Sequence, residues 1–189
     1  MNSRLTPSIL LVVLCISTAA TGQEKLTLFA DAAGTECAIA GNPAQPGIVE
    51  VHMYHLGMAD RAAVQFLAPR PACWSGAIWV GDNIAPPLLV IGNTQSVDIS
   101  IAYTECRTLP VYLGKINYFV TDPSPSCCHY PVIPSTHEET IISVGCAPDF
   151  PLIPISGGSA VVNETPSCRC QLPVSVEERT WGKIKSLYQ

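Results

Sequence analysis

The residues whose type and spacing most constrain chemistry are eight cysteines: Cys37, Cys73, Cys106, Cys127, Cys128, Cys146, Cys168 and Cys170. A ninth, Cys15, lies in an N-terminal apolar run considered below. An even set of thiols in an exported chain reads as up to four disulfides, each worth typically ~2–4 kcal/mol through restriction of the unfolded state. Spacing leaves the connectivity open. Adjacent cysteines in extended chain point to opposite faces, so Cys127 and Cys128 are expected to reach different partners and to tie two layers together. Zinc is the rival use, because Cys127-Cys128-His129 and Cys168-Arg169-Cys170 each bring ligand types close in sequence. The paired C-x-x-C knuckles that turn two thiolates onto one tetrahedral ion are missing, which favours disulfides over metal.

Other chemistry is sparse. His137-Glu138-Glu139-Thr140 opens like a zinc-protease helix, but Ile141 stands where the second histidine is required. His52 and His55 are three apart, which in a strand places them on opposite faces, and exposed strand histidines are expected. Ser156-Gly157-Gly158-Ser159 lacks the Gly-x-Ser-x-Gly pattern of a nucleophile elbow and reads as a flexible turn. Fifteen acids are spread along the chain, adjacent only at Glu138-Glu139 and Glu177-Glu178, and no carboxylate pair is nominated. No catalytic residue, metal ligand or cofactor is assigned. For binding, Cys73-Trp74-Ser75-Gly76-Ala77-Ile78-Trp79 puts two tryptophans beside a cysteine, and Tyr54, Tyr103, Tyr112, Tyr118 and Tyr130 add aromatic surface. Rings of this kind stack on sugars or anchor proteins. Trp74 is expected in the core against a disulfide, and Trp79 is kept as a candidate partner contact. Asn163-Glu164-Thr165 fits a glycosylation acceptor, but Pro166 follows it.

The elements that must position these residues begin after a targeting segment. Arg4 precedes the apolar run Ile9–Ile16, too short for a membrane span, and Ala20 and Gly22 supply the small-x-small pattern of a cleavage site before Gln23. Residues 1–22 are therefore expected to be a signal peptide, 23–172 a disulfide-stabilised domain and 173–189 a helical tail. Leu14 is too bulky for a lipoprotein signal at Cys15, and no later stretch is long and apolar enough to span a bilayer. Charged residues make up 13% of the chain and the net charge is −5, with no basic cluster, which disfavours nucleic-acid binding. A hydrophobic content of 48% with so little charge disfavours disorder.

Strand patterns recur between Gly/Pro turns: Lys25–Asp31, Ile48–Leu56, Ala63–Leu67, Ala77–Val80, Leu88–Ile91, Ser96–Tyr103, Val111–Thr121, Thr140–Val144 and Ala160–Val162. Val97, Ile99 and Ile101 share one face of the sixth, and Ile116, Tyr118 and Val120 one face of the seventh. Gly92–Gln95 is read as a hairpin connection. The proline-dense segments 122–134 and 148–154 are read as irregular crossings. No helical period separates the strands, which indicates an antiparallel β-sandwich. At the C-terminus Ser175-Val176-Glu177-Glu178 matches a capping box, after which Trp181, Ile184, Leu187 and Tyr188 fall on one side of a short helix. That side is a candidate contact for a partner or an export machine.

The Leu28–Cys37 segment and the Trp181-Gly182-x-Ile184-Lys185-x-Leu187-Tyr188 tail resemble small secreted bacterial β-sandwich proteins, similar to cohesin-like or immunoglobulin-like domains. The resemblance implies the fold and export and brings no activity with it. No Asp-x-Asn-x-Asp calcium loop of the dockerin type is present, so a cohesin's choice of partner is not carried over. Together these features predict an exported, non-enzymatic binding or extracellular structural protein, secreted, periplasmic or on the cell surface. Its expected partner is an unknown protein or glycan. A carbohydrate-binding module is the alternative, and a secreted hydrolase a more remote one.

Overall fold

The computed structural model describes residues 23–43 and 45–172, so the expected signal peptide and the C-terminal tail lie outside it. Twelve strands are formed, and no helix occurs among the described residues. They are β1 (Lys25–Phe29), β2 (Ala38–Ile39), β3 (Gly47–Leu56), β4 (Asp60–Phe66), β5 (Ala77–Ile84) and β6 (Leu89–Gly92), followed by β7 (Ile99–Thr108), β8 (Val111–Val120), β9 (Cys128–Pro131), β10 (Ile141–Val144), β11 (Leu152–Gly157) and β12 (Ser159–Val162).

Nine strands form one sheet in the order β5-β8-β3-β1-β11-β10-β4-β7-β6, and β2-β12-β9 form a second, smaller sheet. The large sheet folds back on itself at β11. Leu152 to Ile155 pair with β10, whereas Ser156 and Gly157 pair with β1. Pro154 has no N–H to donate and sits in the half of β11 that is paired on one side only, a position a proline tolerates. The two half-sheets thereby face one another across a shared core of Leu26, Leu28, Met53, Phe66, Ile99, Ile101, Leu113, Ile116 and Tyr118, among others.

Alternation of side chains explains which residues enter that core. Ile116, Tyr118 and Val120 of β8 are buried, and so are Ile99 and Ile101 of β7. Val97, expected on the same face as these last two, precedes the strand and is exposed, because β7 begins only at Ile99. The Gly92–Gln95 connection joins β6 to β7 as a hairpin, with Asn93 Oδ1 accepting from the amides of Gln95 and Ser96. Two pairings depart from the expected antiparallel sandwich, since β1 with β11 and β2 with β12 run parallel. β12 continues from β11 through a Gly157-Gly158 corner, so both parallel pairs lie along one continuous stretch of chain.

That corner is not a flexible turn. Gly158 donates to Leu26 O and accepts from Val132 N. A Cβ on Gly157 would collide with the Val132 carbonyl and lie 2.9 Å from Ile141 Cδ1, while one on Gly158 would meet the Thr27 side chain. Glycine is thus required where the chain leaves the large sheet for the small one. Gly157→Ala should lower stability by about 1–3 kcal/mol, measured as the urea midpoint; an unchanged midpoint would show that the corner yields freely.

Candidate functional site

Three groups of side chains are candidates for a functional site. The first is the cysteine cluster around the small sheet. All eight cysteines among the described residues pair, as Cys37–Cys170, Cys73–Cys128, Cys106–Cys146 and Cys127–Cys168. The adjacent Cys127 and Cys128 do reach different partners. Cys128 turns into the core and is almost fully buried, near Trp74, whereas Cys127 is half-buried at the surface. Cys127 has φ 62°, uncommon for a residue with a Cβ. Two residues on, and on the same strand face, exposed His129 brings Nε2 to 3.6 Å from Cys168 Sγ and 4.0 Å from Cys127 Sγ.

The second group is a polar network inside the sandwich. His55 on β3 is fully buried, with Nδ1 2.7 Å from the Tyr103 hydroxyl of β7 and Nε2 2.9 Å from Glu24 Oε1. The Arg61 guanidinium grips the same carboxylate from β4, its Nε donating at 2.8 Å and its Nη2 to the other oxygen. Burial works to raise the Glu24 pKa, but the Arg61 guanidinium and His55 outweigh it and hold the carboxyl below its ordinary value. Burial depresses His55 to about 4 against the pull of Glu24, and it raises the Tyr103 phenol. Serine, histidine and acid are all present here, yet Ser143 and His55 have no exposed surface. The network bonds the two layers rather than facing a substrate.

His52 is also buried, beneath an aromatic cover on the outer face of β3. Its Nδ1 lies 3.0 Å from the Tyr112 hydroxyl, Tyr54 packs 5.1 Å from Tyr112, and the Tyr54 hydroxyl donates to Ala32 O in the β1–β2 loop. The expectation of exposed strand histidines therefore fails at both positions. They do point to opposite faces, but the loop after β1 closes one face and the opposing layer the other. Trp74 is fully buried, packed 4.8 Å from Tyr118 and 6.1 Å from Tyr130. Tyr103, Tyr118 and Tyr130 are buried with it, which removes most of the aromatic surface that the sequence offered for stacking.

The third group is an apolar face. Across the outer side of β3, β8 and β5, Ile48 pairs with Phe119 and Phe119 with Ile78, forming a row in which the three are 56%, 37% and 58% exposed. Val80, in the bulge of β5, is exposed beside them. The next rows along these strands are polar, with Glu50, Asn117, Lys115 and Asn83, and Lys115 Nζ donates to Glu50 Oε1 at 2.5 Å. Trp79 pairs with buried Tyr118, so it sits on the core-facing side of β5 at the sheet edge, where its Nε1 donates to Asp82. Asp82 in turn accepts from both the amide and the hydroxyl of Thr94, clasping the β6–β7 turn. Trp181, Ile184, Leu187 and Tyr188 lie outside the described residues. The outer row was readable in the sequence, since an alternation that buries Tyr118 and Val120 must turn Phe119 outward.

No family model and no curated protein sequence matches the chain. Among solved structures it is similar to the sixth cohesin of scaffoldin B from Acetivibrio cellulolyticus, solved in complex with a mutant Cel5 dockerin: 10% identity, 76% of this chain, 99% of that one, TM-score 0.47. It is also similar to the seventh ScaB type I cohesin from Pseudobacteroides cellulosolvens, at 12% identity over 84% of this chain and 98% of that one, with a TM-score of 0.46.

The buried network has a pH consequence. The folded state holds His55 neutral down to about pH 4, whereas the ordinary value is 6.5. Its contribution is complete above pH 6.5 and is lost as pH falls toward 4. Glu24, also lowered, contributes above its ordinary 4.5 and loses that contribution as pH falls through its folded value. His52, lowered mainly by burial, acts in the same sense as His55. Stability should fall by on the order of 3 kcal/mol between pH 6.5 and 4. His55→Gln should flatten that slope whatever its effect on absolute stability. Chemical denaturation across this range reads both, and an equally steep slope in the variant would remove His55 from the account.

Proposed function

We propose that this is an exported, non-enzymatic protein that works by binding another protein through the outer face of β3, β8 and β5. The observation that carries the reading is the exposed row Ile48, Phe119 and Ile78. The outer face of an antiparallel layer ordinarily alternates toward polar side chains, and contiguous exposed apolar residues rimmed by polar ones are characteristic of a protein contact. Here the polar rim is Glu50, Lys115, Asn117 and Asn83. Strand β5 ends the sheet, so its outer edge adds unpaired backbone groups beside that row, while Trp79, about one third exposed, lies on the opposite, core-facing side of the same edge. Four disulfides support export into an oxidising compartment. The glycan reading has no comparable support, because Trp74 and three of the tyrosines that might have stacked on sugar are in the core.

A photo-crosslinking side chain placed at Ile78 or Phe119 should give a covalent adduct with a protein, while the same group at exposed Thr104 of β7 should not. Ile78→Asp combined with Phe119→Asp should keep the melting temperature within a few degrees. It should weaken the captured contact at least about tenfold, as expected when two central anchors of more than ~1 kcal/mol each are lost. Adducts at Thr104 alone, or binding indifferent to the double variant, would place the contact elsewhere.

A further inference from the structure

We propose that the Cys127–Cys168 bridge is the closed form of a metal site, and that its reduction by a dithiol creates a zinc-binding set of Cys127, Cys168 and His129. In a tetrahedral zinc site with Zn–S of about 2.3 Å and Zn–N of about 2.0–2.1 Å, sulfur and nitrogen ligands stand about 3.5 Å apart and two sulfurs about 3.8 Å apart. His129 Nε2 already stands 3.6 Å and 4.0 Å from the two sulfurs, and the three ligand atoms are mutually within 4.8 Å. Parting the sulfurs is the change the site needs. Of the five ligand residues that the sequence brings close, Cys128 and Cys170 are committed to Cys73 and Cys37, so three remain and a fourth position stays open to water.

The ligands are held independently of the bond that must break. Cys128, next to Cys127, remains tied to Cys73, and Cys170, two residues from Cys168, remains tied to Cys37. Cys127 N also donates to Asn163 O at 2.8 Å, and Cys168 exchanges both backbone bonds with Thr165 at 3.0 and 3.1 Å. His129 is fixed by the ladder between β9 and β12, opposite Val161. Opening the bridge therefore leaves three donors on pinned backbone, which limits the ordering cost of metal capture.

Cys127 and Cys168 are both part-exposed, so the bridge can be reached from solvent. Beside His129 a cleft of about 270 Å³, lined by Lys25, Thr27, Ser159, Arg169 and Cys170 among others, places two cations near the site that favour an incoming thiolate. One thiolate of the dithiol attacks Cys127 Sγ, forms a mixed disulfide and expels Cys168 as thiolate, with His129 Nε2 at 3.6 Å placed to donate a hydrogen bond to it. The second thiol of the reductant then attacks its own mixed-disulfide sulfur and releases Cys127. The dithiol leaves as a cyclic disulfide, having supplied two electrons and two protons. Zinc binding returns those protons to solvent as both cysteines become thiolate ligands.

The test uses the full mature chain treated with a water-soluble phosphine, which ends as its oxide with oxygen from water. Cobalt(II) serves as the spectroscopic probe, and alkylation with peptide mass mapping identifies the open thiols. One ion per chain with thiolate-to-cobalt charge-transfer absorption, displaced by zinc and appearing only once Cys127 and Cys168 are open, is the expected result. Cys106→Ser with Cys146→Ser should leave it intact. His129→Ala, at an exposed position that should fold normally, should weaken binding at least about tenfold, a loss seen even for second-sphere changes. Circular dichroism checks each variant. Open Cys127 and Cys168 thiols that take up no cobalt would overturn the proposal. So would equal affinity in His129→Ala, or cobalt retained in a folded Cys127→Ser, Cys168→Ser chain.

Discussion

The passage of β11 from β10 to β1 is the constraint on which the remaining architecture depends. A sheet of nine strands left flat would expose both faces, and with 13% charged residues this chain has too little polar surface to clothe them. By pairing along one half with β10 and along the other with β1, β11 turns the sheet on itself and converts two apolar faces into one interior. Everything described above as a contact between layers presupposes that turn. His55 reaches Tyr103, Arg61 reaches Glu24 and Gln95 reaches the Tyr118 hydroxyl only because the half-sheets oppose one another.

The polar groups inside this sandwich are placed where apolar packing alone would leave register undetermined. The Tyr118 hydroxyl bonds that of Tyr130, which donates to Ala68 O, so a strand of each sheet and the loop after β4 are tied at one point. Asp82 performs the same task at the open side by holding Thr94. Such bonds add little net stability each, but leaving any one unmade in the interior would be costly, so they penalise alternative registers more than they reward the native one.

Much of the fold was legible because period-2 alternation is a local property. The faces of β7 and β8 could be assigned from Ile99, Ile101, Ile116, Tyr118 and Val120 without knowing their neighbours. What escaped the sequence depended on partners distant along the chain. β9 and β11 lie in proline-dense segments whose composition resembles loops, and they become strands because β12 and β10 supply hydrogen bonds. The parallel pairs could not be read for the same reason. His52 and His55 were misjudged as exposed because burial there is imposed by a loop and by the opposite layer, neither encoded near residue 52. Of the site residues, the cysteine set was visible as a set. Its pairing, and the arrival of His129 beside one bridge, are properties of the assembled sheets.

The connectivity also sets the order in which synthesis can become structure. Cys37–Cys170 spans 133 residues and encloses the other three bridges, which interleave with one another. β1, made first, waits for β11, made near the end, and Cys37 waits still longer for Cys170. A ribosome or translocation channel delivering this chain from its N-terminus therefore cannot release a finished half. The outermost cross-link records that the whole length has arrived, and a truncated product is left with an unpaired thiol at its beginning that thiol-scanning chaperones can grasp.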